Sequence, residues 1–199
     1  MTLRKLMALL TLLFIAGFNS AFAATTYSVD SNNSSVNFST IKQQYVVEPA
    51  VFKNVQGTIS ASGNAKISIA LNSVETQIPI RDARLKSLFF EVVKFPKAVV
   101  SAKINMNKIK SVSGYIKMKI PATLEFYGHS KKITLNILLA KTKGGRLLIT
   151  SMKPIIVNAG DFGIPSKNLV QLAKTVGGFA ISNKVPVNFV LTFKPKSTK

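Results

Sequence analysis

Residues 115–139 read YIKMKIPATLEFYGHSKKITLNILL. Ile116, Met118, Ile120, Ala122, Leu124 and Phe126 take every second place, against Tyr115, Lys117, Lys119, Thr123 and Glu125. After Tyr127-Gly128-His129 the rhythm resumes, with Ile133, Leu135, Ile137 and Leu139 set against Lys132, Thr134 and Asn136. A period of two puts alternate side chains on opposite faces of a strand. Two such runs around a glycine-bearing turn read as a hairpin, apolar on one face and wet on the other, which is the pattern of antiparallel sheet.

The same alternation recurs outward from this hairpin. It runs through Val36–Ser39, with Val36 and Phe38 on one side, and Lys66–Asn72, with Ile67, Ile69 and Leu71 together. Ala98–Met106 aligns Val100, Ala102, Ile104 and Met106, and Val187, Phe189, Leu191 and Phe193 close the chain in the same way. Turn chemistry stands between the runs at Ser62-Gly63-Asn64 and Lys143-Gly144-Gly145. The chain shows no βαβ rhythm and no internal repeat, so the expected class is all-β. One-sided strands hide their apolar face in a sandwich or a barrel. A closed barrel also removes sheet edges, and one of about eight strands either fills with side chains or holds one small ligand. The inward residues are mostly Ile, Leu, Val and Met, which suits a dry tube and a filled core equally.

The N-terminus sets the compartment. Arg4 and Lys5 precede an apolar run from Leu6 to Gly17, and Ser20-Ala21-Phe22-Ala23 offers small residues where a signal peptidase reads. This predicts a signal peptide over residues 1–23, cleaved after Ala23, and one exported domain over residues 24–199. The run is too short to span a bilayer comfortably. The chain has no cysteine. That excludes disulfides, thiol redox chemistry and Cys-ligated metal.

Charge narrows the partners. The whole chain carries 27 Lys+Arg against 7 Asp+Glu. Without Arg4 and Lys5, 25 basic residues face 7 acidic ones, a net +18. Such a field attracts polyanions and anionic lipid. Only Arg81, Arg84 and Arg146 are arginines beyond residue 23, and the lysines are dispersed. Nucleic-acid readers favour arginine for bidentate contacts, so nucleic acid is not the expected partner. An anionic membrane surface fits better, and a homodimer is left open.

Residues 81–96, RDARLKSLFFEVVKFP, break the strand pattern. Asp82 is a suitable helix N-cap. Leu85, Leu88, Phe89 and Val92 then fall at helical spacing, with Lys86 and Glu91 expected to point away and Pro96 ending the segment. Ser166–Val176 has the same helical spacing through Leu169, Val170, Leu172, Ala173 and Val176. The first connector reads either as a plug packed over one barrel end or as a lid over an apolar cavity.

The connector's Arg81-Asp82, Leu85, Phe89-Phe90 and Pro96 resemble a segment of the YceI-like family. The resemblance continues in order through Tyr27-Ser28-Val29-Asp30, Gly57-Thr58-Ile59, Ser73-Val74-Glu75-Thr76, Gly114, Gly128-His129-Ser130-Lys131, Asp161-Phe162-Gly163-Ile164 and the closing strand Val185–Phe193. It implies an extended antiparallel lipocalin-like barrel with one or two short helices, exported to the periplasm, a long tunnel holding a polyisoprenoid or isoprenoid-quinone type amphiphile, and no catalysis. Phe38, Ile69, Val100, Ile104, Ile116, Met118, Ile120, Phe126 and Ile137 would then solvate the tail. Phe89, Phe90, Phe95 and Phe162 would guard an end, and Arg81 or Arg84 would meet the head group. The family often has histidine where Arg84 stands, which points to a more anionic head here. Ile78-Pro79 also departs from the family and reshapes the loop before the connector.

Other chemistries lack their parts. Asp161-Phe162-Gly163 has no accompanying kinase elements. His129 is the only histidine and lies in a turn, so neither a metal site nor a serine nucleophile is expected, and no cofactor is implied. Seven scattered acids do not suggest a glycosidase pair. The competing reading is a solid-cored basic envelope protein that binds an acidic polymer or partner through its lysines.

Overall fold

The computed structural model describes residues 25–196. The signal peptide expected over residues 1–23 lies outside them. Twelve strands assemble into eight staves, four of them broken in two. In chain order the first broken pairs are β1 (Thr26–Val29) with β2 (Ser35–Lys42), β3 (Val46–Phe52) with β4 (Val55–Ile59), and β5 (Asn64–Ala70) with β6 (Val74–Glu75). Then come β7 (Lys97–Lys103), β8 (Tyr115–Phe126) and β9 (His129–Lys141). The last are the broken pair β10 (Leu147–Ser151) and β11 (Ile155–Asn158), and the single long β12 (Lys184–Lys196).

Every neighbouring pair is antiparallel. β1 pairs with both β4 and β12, which closes the ring β1-β4-β5-β7-β8-β9-β10-β12. The resemblance implied this barrel, and alternation alone did not choose it over a sandwich. β12 explains the elongation. Its C-terminal half runs beside β1 and β10, while its N-terminal half carries β2 and β11 beyond the ring. The upper tier is an arc, β11-β12-β2-β3-β6, because β6 has only two residues and pairs with β3.

The opening hairpin forms as read, with Phe126 opposite His129. Tyr127 and Gly128 have φ of 50° and 77°, the left-handed pair that a two-residue hairpin turn requires. At the other end Gly63 turns the chain at φ 88° against β7. A Cβ there would stand 2.0 Å from the Ile104 carbonyl oxygen, so only glycine fits.

Among the described residues three short α-helices accompany the strands: α1 (Pro79–Arg84), α2 (Met106–Lys110) and α3 (Ser166–Lys174). α2 corrects the sequence reading, which extended the strand from Ala98 to Met106. β7 stops at Lys103, and the Asn105 side chain accepts hydrogen bonds from the backbone of Asn107 and Lys108, capping a helix. Ile109 of α2 is 1% exposed and seals this end of the barrel, the base.

Asp82 is also corrected. Pro79 occupies the first helical turn after Ile78, so α1 starts before Asp82. The Asp82 carboxylate instead accepts from the Thr76 backbone N–H at 2.8 Å and its hydroxyl at 2.6 Å, tying α1 back to the end of β6. After α1 the chain widens into a π-turn over Leu85–Phe89, marked by Phe90 N–H donating to the Leu85 carbonyl. The extra residue per turn rotates the helical stripe. Phe90, beside the stripe by α-helical spacing, becomes the buried aromatic at 4% exposure, while Leu88 and Val92 are only partly buried.

Candidate functional site

The strands' inward faces do not meet. They enclose a cavity of about 200 Å³ bounded by 36 residues, 33 of them apolar and none charged. Along β12 the wall runs from Val185 to Phe193. Those eight residue steps span roughly 26 Å at about 3.3 Å per residue. The space is a narrow tunnel along the staves.

The tunnel collects nine of the residues expected to touch a ligand. Phe38, Ile69, Val100, Ile120, Phe126 and Ile137 stand on its strand walls, Ile104 joins them just past the end of β7, and Phe89 and Phe90 reach it from the connector. The other six lie elsewhere, for identifiable reasons. β7 pairs with β8 only over Ala122–Glu125, so the first residues of β8 overhang the ring. Ile116 and Met118 sit on that overhang and pack into the core beyond the tunnel. Phe95 stacks on Tyr127 with ring centroids 3.9 Å apart, outside the wall. Phe162 is one layer back, packed edge-on against Phe126 at 5.5 Å.

The two arginines sit at the lid end without lining the tunnel. Arg81 Nη1 donates to Glu48 Oε2 at 2.7 Å, and Lys42 holds the other carboxylate oxygen at 2.6 Å. Those bonds, the Lys42 one foremost, hold the Glu48 carboxyl below its ordinary range. Arg84 Nη1 donates to the Thr175 carbonyl at 3.1 Å, joining the connector to the end of α3.

Leu85, Phe89 and Phe90 from the connector and Leu169 and Leu172 from α3 roof the upper tier. The connector is therefore a lid that also contributes wall. A polar cluster pins one side of it. Tyr127 Oη donates to Glu91 Oε2, and Asn168 Nδ2 donates to the same oxygen at 2.9 Å. Glu91 was expected to point away; a φ of 48° turns it inward to these partners. The Asn168 hydrogen bond foremost, and the Lys94 ammonium after it, lower the Glu91 carboxyl pKa. His129 stands beside Gly163, whose φ of 70° makes a turn next to the lid.

The tunnel's three polar wall residues, Thr40, Ser182 and Asn183, gather at one place, the mouth. There the β2 end and the segment leading into β12 meet, with Ser182 N–H donating to the Ile41 carbonyl and a bridge between Lys42 and Ile181. The sequence reading named none of the three. Their signal was available only as position, at the ends of apolar runs.

An elongated, closed β-barrel with a lidded apolar bore defines a binding protein for a hydrophobic guest. The YceI-like domain model matches residues 27–193, and the chain belongs to that family. The structure of a polyisoprenoid binding domain from Saccharophagus degradans, implicated in plant cell wall breakdown, is similar at 27% identity and TM-score 0.81, covering 85% of this chain and 98% of that one. BcnA from Burkholderia cenocepacia has the same fold at 16% identity and TM-score 0.62, covering 82% of this chain and 98% of its own. No curated protein matches.

Proposed function

We propose that this protein is an exported, periplasmic carrier that holds the tail of a polyisoprenoid or isoprenoid-quinone type amphiphile in the barrel, with the head group at the mouth. The observation that carries the reading is the wall itself: a bore about eight strand residues long, with 33 of 36 lining residues apolar and no charge. Polar or charged guests would lose hydration there without replacement hydrogen bonds. A hydrocarbon chain gains about 0.8 kcal/mol per buried methylene, so several isoprene units bind firmly through the tail alone. The Saccharophagus degradans domain, described as polyisoprenoid-binding, supports the choice of chain type.

Polarity orients the guest. The head belongs beside Thr40, Ser182 and Asn183, within the field of Lys42, Arg81 and Arg84. Arg84 uses one guanidinium N–H on Thr175, and a guanidinium has five. This favours a carbonyl-bearing or anionic head. The test is organic extraction of protein purified from several expression hosts, followed by mass spectrometry. A long-chain isoprenoid at near-stoichiometric yield is expected, and extracts without any long-chain amphiphile in every host would sink the reading.

A further inference from the structure

The lid end carries a feature that the tunnel does not require. Most exposed apolar side chains on a protein surface are scattered singly, as Val93 and Tyr115 are here. Around the mouth they cluster. Tyr45, Val46 and Val47 are exposed on the β2–β3 hairpin, with Tyr45 at 84%. Ile78 and Ile80 are exposed at the start of α1, and Phe179 in the loop after α3.

Hydrogen bonds stitch these three segments together. Gln43 N–H donates to the Ala180 carbonyl at 2.9 Å, which sets the hairpin tip beside Phe179. Arg81 reaches Glu48 and Arg84 reaches Thr175, which bring α1 against both the hairpin and the α3 end. The hairpin tip itself bends through left-handed backbone at Gln43 and Gln44, φ 53° and 64°, presenting Tyr45 outward.

The collar around this apolar rim is basic. Lys42, Arg81, Arg84, Lys86, Lys174 and Lys184 stand on the rim segments or next to them, against the carboxylates of Glu48 and Asp82. Glu48 is already held between two of the cations, and Asp82 by Thr76. Apolar side chains that enter a lipid interface, surrounded by cations that meet anionic head groups, make a surface for a bilayer.

We propose that the mouth rim docks on an anionic bilayer, with Tyr45, Val47, Ile80 and Phe179 entering the interface and the surrounding lysines and arginines meeting lipid phosphates. The inference rests on the carrier reading for its purpose and stands on separate observations. Charge complementarity selects the occupant: a neutral apolar partner would leave the basic collar unanswered. Docked in this way, the polar mouth faces the lipid surface, so a tail can pass between bilayer and barrel without crossing water.

Liposome flotation of the purified, exported protein tests this. Vesicles of phosphatidylcholine alone are compared with vesicles containing about a third phosphatidylglycerol. The triple variant Tyr45→Ser, Val47→Ser, Phe179→Ser is expected to bind the anionic vesicles at least tenfold more weakly than the parent. The double variant Lys117→Ala, Lys119→Ala, on the outer barrel face, is expected to bind within twofold of it. Equal binding by the rim triple and the parent overturns the proposal, as does a loss confined to the barrel-face variant.

A fluorescent reporter adds a second readout that does not depend on the triple variant. The chain has no tryptophan, so Tyr45→Trp and Tyr115→Trp are single reporters of the two ends. Anionic vesicles should shift the first emission to the blue and leave the second unchanged; a shift at Tyr115→Trp only contradicts the geometry. Extraction of bound lipid separates the two readings. Lipid-loaded protein whose vesicle binding ignores the rim retains the carrier and removes the docking face. Rim-dependent docking by protein that never yields lipid does the reverse.

Discussion

At the base of the barrel, Ile109 is 1% exposed, Leu139, Leu147 and Ile59 are at 0%, and Phe193 is at 1%. These side chains come from α2 and four strands, and all of them are apolar. At the lid, the closure is a hydrogen-bonded cluster of Glu91, Tyr127 and Asn168, an ion-paired Glu48, and two short helices over an open bore. Apolar close packing resists local opening because every separated surface meets water. A few hydrogen bonds at a half-exposed end exchange readily with water and contribute about 1 kcal/mol each. The base is thereby expected to stay shut and the lid to open more readily, which the proposed carrier role requires.

Breaking the base has the largest expected effect on stability. Ile109→Ala removes a fully buried side chain from a site with no room to relax, and should lower the unfolding free energy by about 2–5 kcal/mol, measured by denaturant titration. Gly63→Ala attacks the same end through the backbone. Its new Cβ meets the Ile104 carbonyl, and the φ of 88° disfavours any side chain. A loss of about 2–3 kcal/mol is expected, and an unchanged midpoint would show that the turn is not the constraint described.

The lid should behave differently. Tyr127→Phe removes the hydroxyl that donates to Glu91 and leaves the Asn168 bond in place. About 1 kcal/mol of stability should go. Hydrogen exchange should rise in residues 85–92 and 166–174, with base amides unaffected. Uniform acceleration along the whole chain would mean that the two ends are coupled and the comparison fails.

The smallest expected effect is acidic. Asp30 bridges β1 to β2 and is held by Lys194 at 2.9 Å and Asn33 at 3.1 Å, with Arg146 farther off. These bonds, the Lys194 one foremost, lower its folded pKa. The stabilisation is then complete above the unfolded carboxyl value of about 4 and is lost as pH falls through the lower folded value. Asp30→Asn should be less stable than the parent at pH 7, with the gap closing as pH falls through the lowered folded value of Asp30.

Alternation made the barrel's faces legible. Every inward residue of the β8–β9 hairpin was identifiable, as was its turn, because period two is a property of one chain segment. Register is a property of two. Nothing within Tyr115–Phe126 reveals that β7 stops opposite Ala122 and leaves Ile116 and Met118 overhanging the tunnel. The α2 helix was obscured by an apolar rhythm continuing from Ile104 to Met106, although Asn105 carried the capping signal. The π-turn defeated the helical stripe because its wider turn shifts the phase and buries Phe90, and the left-handed backbone at Glu91 then turns that side chain inward. Arg81 finds Glu48 across 33 positions, and neither residue's neighbours announce the other.

The proposed carrier needs a bore empty of side chains that a hydrocarbon can fill. Native mass spectrometry of the purified protein and of Ile137→Trp tests it most directly, with a defined isoprenoid quinone added to lipid-stripped samples. Ile137 is 2% exposed and on the tunnel wall, so the indole would occupy the guest's path. The parent should take up one quinone per chain and the variant none, with only a modest fall in melting temperature. Uptake that is equal in both, or a variant that loses about 3 kcal/mol or more because the barrel was already full, would contradict the account.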